Sequence, residues 1–190
     1  RTSLTRRVSR EFSIMIMRFF RRNRGPAAVD VLLTRVIDAS RAPVLYTDLD
    51  VPDTLEGRYE AVILHMTLVL RRLRDLPPPA DDFAQDFVDA FFKWLDMSLR
   101  DMGVGDLAVP KRMKKLVTAF YGRAKAYGNA LDTQDRTALI EALGRNVTET
   151  ETPAQALADY VIAAEARLAG QDFDAILADG PAFGAERPAA

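Results

Sequence analysis

From Ala27 onward the apolar positions recur at three- and four-residue intervals, and the strict alternation of a half-buried strand is almost absent. The spacing predicts helices at about 27–41, 55–75, 82–102, 110–131, 133–145 and 153–169. The punctuation agrees with it. Pro26, Pro110 and Pro153 fall at or near first-turn positions, Thr133 and Thr152 suit N-caps, and Gly103, Gly144 and Gly170 suit helix ends. Pro77 to Pro79 force an extended connection too short to divide domains. The expected fold class is all-α, a compact helical bundle of about six helices over residues 25–170, with a basic N-terminal extension (1–24) and a short C-terminal tail (171–190).

Three of these helices carry unusual faces. Segment 55–75 places Tyr59, Val62, Ile63, Met66, Val69, Leu70 and Leu73 on one side and Leu64 and Leu68 on the other, which predicts a helix contacted from two directions. Along its flank Arg58, His65 and Arg72 recur every seven residues. Two readings fit that strip: a site for an anion or acidic partner, or a satisfied, half-buried histidine beside solvated arginines. Segment 82–102 confines Asp82, Gln85, Asp86, Asp89, Lys93, Asp96 and Arg100 to one arc and leaves an apolar arc of roughly 260°, far wider than a surface helix needs. Such a helix is either the buried centre of the bundle, the default expectation, or it leaves an aromatic face open to a hydrophobic client. Its polar arc predicts two i,i+4 pairs, Asp89–Lys93 and Asp96–Arg100.

Segment 110–131 raises the sharpest question. Met113, Leu116, Val117, Phe120, Ala124, Tyr127 and Leu131 form its buried face. Lys111, Lys114 and Lys125 project outward with Thr118 and Tyr121, while Arg112, Lys115 and Arg123 point to the flanks. A helix N-terminus already carries about half a positive charge, so a basic start opposes the helix's own dipole. Carboxylates folded against the lysines, near Asp96 or Asp101, would resolve the conflict; so would an acidic surface or a phosphate backbone outside the chain.

Composition narrows the chemistry. The 190 residues, 48% apolar and 28% charged, are those of one globular domain. The absence of cysteine removes disulfides, thiolate metal sites and cysteine nucleophiles, and His65 is the only histidine, so metal binding would fall to carboxylates. Asp86 and Asp89 lack the further ligands such a site needs. Gly103 and Gly105 give only G-x-G, without a preceding strand or a following GK[ST], and no nucleophile has a base in sight. No catalytic residue, metal or cofactor is therefore expected. The net charge of −1 divides into about +7 over residues 1–24 and about −8 over the remainder. Three readings fit the first segment: a disordered or mis-extended start, with Met15 or Met17 as the true one; a presequence; or a membrane-surface segment built on Arg18, Phe19, Phe20, Arg21 and Arg22. No run approaches the ~18 to 20 apolar residues of a transmembrane helix.

The stretches "LYTDLDVPDTLEGRYEAVILHMTLVLRRLR" (45–74) and "FVDAFFKWLDMSLRDMGVGDLAVPKRMKKLVTAFYGRAKAY" (87–127), with "MRFFRRNRG" from Met17, are collinear with one family. Over roughly residues 17–170 the chain resembles the ubiquinol-cytochrome c chaperone family in its alphaproteobacterial form. The resemblance implies an all-helical assembly factor without catalytic activity, which binds newly made cytochrome b during construction of the cytochrome bc complex. It implies a cytoplasmic location, peripheral at the inner membrane. In mitochondria the related protein works with a small partner subunit near the ribosomal tunnel exit. The family carries no catalytic signature, so the expected partner-binding residues are those of the surface argument: Arg58, His65, Arg72, Lys111, Lys114, Lys115, Tyr121 and Lys125. Two other readings stay open. One is a ribosome- or RNA-binding module using the basic helix; the other is a haem or small-molecule site on His65, which lacks a second strong ligand.

Overall fold

The computed structural model describes residues 25–148 and 151–184. Arg18, Phe19, Phe20, Arg21 and Arg22, and with them the expected N-terminal extension, lie outside the described residues. The chain runs through α1 (Gly25–Ala39), the short α2 (Pro43–Thr47), α3 (Leu55–Arg74), α4 (Ala80–Asp101) and α5 (Val109–Asp132). It continues through α6 (Arg136–Leu143), a π-helical turn (Gly144–Thr148), α7 (Glu151–Ala169) and α8 (Phe173–Asp179). Among the described residues there is no strand, so the all-α class holds.

The centre of the bundle is α3. It packs against α1, α4, α5, the π-helical turn and α7, and buries Val62, Ile63 and Met66 on one side and Leu64 and Leu68 on the other. Its start is fixed by Thr54, whose side chain accepts from the Gly57 amide at 3.1 Å. Gly57 itself lies against Pro52, where a Cβ would run into the proline carbonyl.

The expectation that α4 is the buried centre is corrected. Its buried stripe is Phe83, Phe87, Phe91, Leu95 and Leu99, while Val88, Phe92 and Trp94 are half-covered and Met97 and Met102 are exposed. The reason is position: α4 is an outer helix with α1, α3 and α5 on one side only. Of its two expected ion pairs, Asp96–Arg100 forms at 2.7 Å. Asp89 instead accepts from Gln85 at 3.1 Å.

Helix ends differ in three places for local reasons. Thr133 closes α5, donating to the Asn129 carbonyl at 2.9 Å, and Asp135 caps α6 by accepting from the Ala138 amide. Gly144 does not end its helix but continues with right-handed backbone into the π-helical turn. Residues 171–183 fold back onto the bundle. Phe173 meets Phe83 edge-on at 5.2 Å, Ile176 is buried, and Arg35 donates to the Leu177 and Ala178 carbonyls at 2.9 Å each.

Candidate functional site

The α4–α5 hairpin turns on Gly103, whose φ of 80° a side-chain-bearing residue rarely adopts. The Gly103 amide donates to the Arg100 carbonyl at 2.9 Å and the Val104 amide to the Leu99 carbonyl at 3.0 Å. Those amides are spent on closing the helix, so the turn offers no phosphate cradle. Leu95 and Phe120 belong to the contiguous core, but Leu99 and Val109 are buried outside it. The hairpin end therefore projects past the main packing.

Apolar groups emerge along this projection. Phe91 and Phe120 are buried, Phe92 stands edge-on to Phe120 at 5.4 Å, and Tyr121 continues the cluster outward, 6.1 Å from Phe92 and 55% exposed. Leu116 and Val117 are only half-covered. Met97 and Met102 are 54% and 51% exposed, and Leu107 is 99% exposed. Met97, Met102 and Leu107 were not among the expected site residues. Leu107 sits alone in a turn, outside any periodic pattern, and Met102 lies on the core-facing side of α4 where the bundle no longer reaches.

The lysines of α5 find no carboxylate within the described fold. Asp96 and Asp106 both pair with Arg100, at 2.7 and 2.5 Å. Among the described residues Lys111, Arg112, Lys114, Lys115 and Lys125 have no ion-pair partner. Among the described residues, then, no carboxylate resolves the charge conflict. Arg123 is different: it turns inward and pairs with the buried Glu60, whose carboxyl is held above the ordinary range by burial, with the guanidinium opposing the shift.

The arginine and histidine strip of α3 is not one surface. Arg58 is exposed and pairs with Asp53 at 2.7 Å. His65 is fully buried, which corrects its place among the partner-binding residues. Desolvation depresses its pKa to about 4, against a smaller upward pull from the Ala61 carbonyl, so the ring is neutral near pH 7. Nδ1 faces the Ala61 carbonyl at 2.7 Å, and a carbonyl only accepts; the proton therefore sits on Nδ1, and Nε2 accepts from the Tyr160 hydroxyl at 2.7 Å. Phe183 closes over the ring edge-on at 4.5 Å. With both nitrogens engaged, no lone pair is left for a haem iron. The histidine reads as core because α7 and the C-terminal segment cover the flank that α3 alone leaves open.

Arg72 borders a cleft of about 540 Å³ between α3, α5, α6 and α7, floored by Leu68, Leu131, Leu139 and Leu168. Its Nε donates to the Gln171 carbonyl at 2.8 Å. The adjacent Arg71 fixes the wall by bonding Glu165 at 2.6 Å, Asp132 at 2.9 Å and the Gly128 carbonyl at 3.1 Å. No cluster of three or more histidine, cysteine or acidic groups suited to a metal occurs among the described residues.

An all-helical bundle whose hairpin leaves apolar and cationic groups uncovered is suited to holding another protein, as helical assembly chaperones do. The model of one such family, Ubiquinol-cytochrome C chaperone, matches residues 47–183. The crystal structure of the Cbp3 homolog from Brucella abortus is 41% identical, superimposes with a TM-score of 0.74, and covers 87% of this chain and 93% of its own. No curated protein sequence matches the chain. The chain belongs to the ubiquinol-cytochrome c chaperone family.

Proposed function

We propose that this chain is a non-enzymatic chaperone that holds newly made cytochrome b during assembly of the ubiquinol-cytochrome c reductase complex, with the α4–α5 hairpin as its client surface. The observation that carries the reading is the coincidence, on one hairpin, of half-covered aromatic and aliphatic side chains with cations that the fold leaves unpaired. The apolar spans of a newly made membrane protein meet the uncovered side chains, and acidic side chains within its loops meet the cations. Lys111, Lys114, Lys115, Tyr121 and Lys125 are its contacts on α5, and Arg58 at the start of α3 and Arg72 at the cleft, which do not share one surface, are separate contacts. No helix among the described residues is long and apolar enough to cross a membrane, so a contact at the inner membrane is peripheral in this reading.

The cations and Tyr121 suit a ribosome or RNA equally well, but a nucleic acid does not explain why Leu116, Val117 and Met97 remain uncovered. Photo-crosslinkers at Lys114, Tyr121 and Arg72 in cells test the client reading. Capture of cytochrome b supports it, and capture of ribosomal protein or unrelated proteins alone rejects it.

A further inference from the structure

The geometry points to a second role for the very end of this hairpin: it seats on an anionic bilayer, Leu107 and Met102 entering the headgroup region and Lys111, Arg112 and Lys115 meeting the lipid phosphates. Three observations combine here. The hairpin end projects beyond the contiguous core, since Leu99 and Val109 stand outside it. Its apex is apolar and uncovered, at Leu107 and Met102. Residues 93–125 hold eight cations against Asp96, Asp101 and Asp106, a local charge of +5 on a chain of net charge −1.

These features are ordered in depth. The apex residue Leu107 precedes α5, and the three cations follow within about 12 Å along the helix axis. That separation places an inserted leucine below the headgroups and the cations level with them, which is how interfacial segments are arranged. A nucleic acid would use the cations but leave Leu107 and Met102 in water. A client helix would lie along the arms of the hairpin, whereas Leu107 stands in the turn between them, 99% exposed. A planar partner with an apolar interior and a negative surface satisfies both halves.

The inference does not require the client reading, and its test contains no cytochrome b. Full-length chain is sedimented with phosphatidylcholine vesicles, with and without phosphatidylglycerol. The wild type binds only the anionic vesicles, and each removed cation weakens binding by roughly fivefold. K111E/K115E therefore loses at least about 25-fold, and L107D/M102S loses at least about tenfold at unchanged charge on α5. Leu107→Trp, made with Trp94→Phe so that the introduced indole is the one tryptophan of the chain, reports depth directly, its fluorescence being quenched by lipids brominated along the acyl chain. Circular dichroism melts verify that every variant is folded. Equal binding to neutral and anionic vesicles overturns the proposal, as does wild-type binding by L107D/M102S, or an indole signal in the Leu107→Trp variant that brominated lipid leaves untouched. Binding lost only on removal of the basic residues Arg18, Arg21 and Arg22 assigns the membrane contact elsewhere and also overturns it.

Discussion

Reversing one charge at the start of α5 should make the protein more stable. Lys111 is the third residue of the helix, the first turn contains no acidic residue, and no carboxylate of the described fold reaches it. Replacing a cation there by an anion removes one unfavourable dipole interaction and adds a favourable one, a swing of about 0.6–2 kcal/mol at low ionic strength. Lys111 also stands four residues before Lys115, so Lys111→Glu turns a like-charge neighbour into a Glu-to-Lys pair and adds about 0.4–1 kcal/mol. The sum is about 1–3 kcal/mol in dilute buffer and less at physiological salt, where charges are screened over about 8 Å. With an m-value of roughly 2 kcal/mol/M, the urea midpoint rises by roughly 0.5–1.5 M at low salt, and the gain shrinks as salt is added. Lys111→Ala gives part of the gain. A midpoint that falls, or a gain indifferent to salt, would refute the reasoning and mean that the native fold uses Lys111 for its own stability.

Two further predictions concern the interior. Arg123→Met strands the buried Glu60 carboxylate and should cost about 3 kcal/mol, whereas Glu60→Met with Arg123→Met restores most of the loss; a single substitution as mild as the double one rejects the paired description. His65 has a folded pKa of about 4, below the 6.5 of an unfolded histidine, so its contribution is complete above about pH 6.5 and is lost as pH falls toward 4. The wild type should therefore lose about 3 kcal/mol relative to His65→Gln across that interval, read as the difference in urea midpoints against pH; a constant difference contradicts the neutral, buried assignment.

The helices were legible because their apolar periodicity is local, and five of the six expected segments both begin and end within about two residues of the helices in the structure. The centre of the bundle was less legible. The apolar arc of α4 is wider than that of α3, yet α3 is the enclosed helix, because enclosure depends on how many neighbours surround an element and periodicity records only its own face. The same limit hid His65: its spacing from Arg58 and Arg72 is real, but the cover over it comes from Tyr160 and Phe183, remote in sequence. The lysines of α5 were readable as an anomaly since dipole and charge lie on one helix. Their lack of partners was not, since Asp96 was an available carboxylate until the structure showed it bound to Arg100. Leu107 escaped altogether, a single apolar residue in a turn whose significance lies in what fails to cover it.

The direct test is assembly itself. Cells lacking this chain are complemented with the wild type or with K111E/K114E/K115E, whose stability is verified by urea melts, and assembled ubiquinol-cytochrome c reductase is measured on native gels. The expected result is loss of the complex without the chain, recovery with the wild type, and little recovery with the stable triple variant. A normal level of complex in the deleted cells, or full recovery with the triple variant, would contradict a client-holding hairpin.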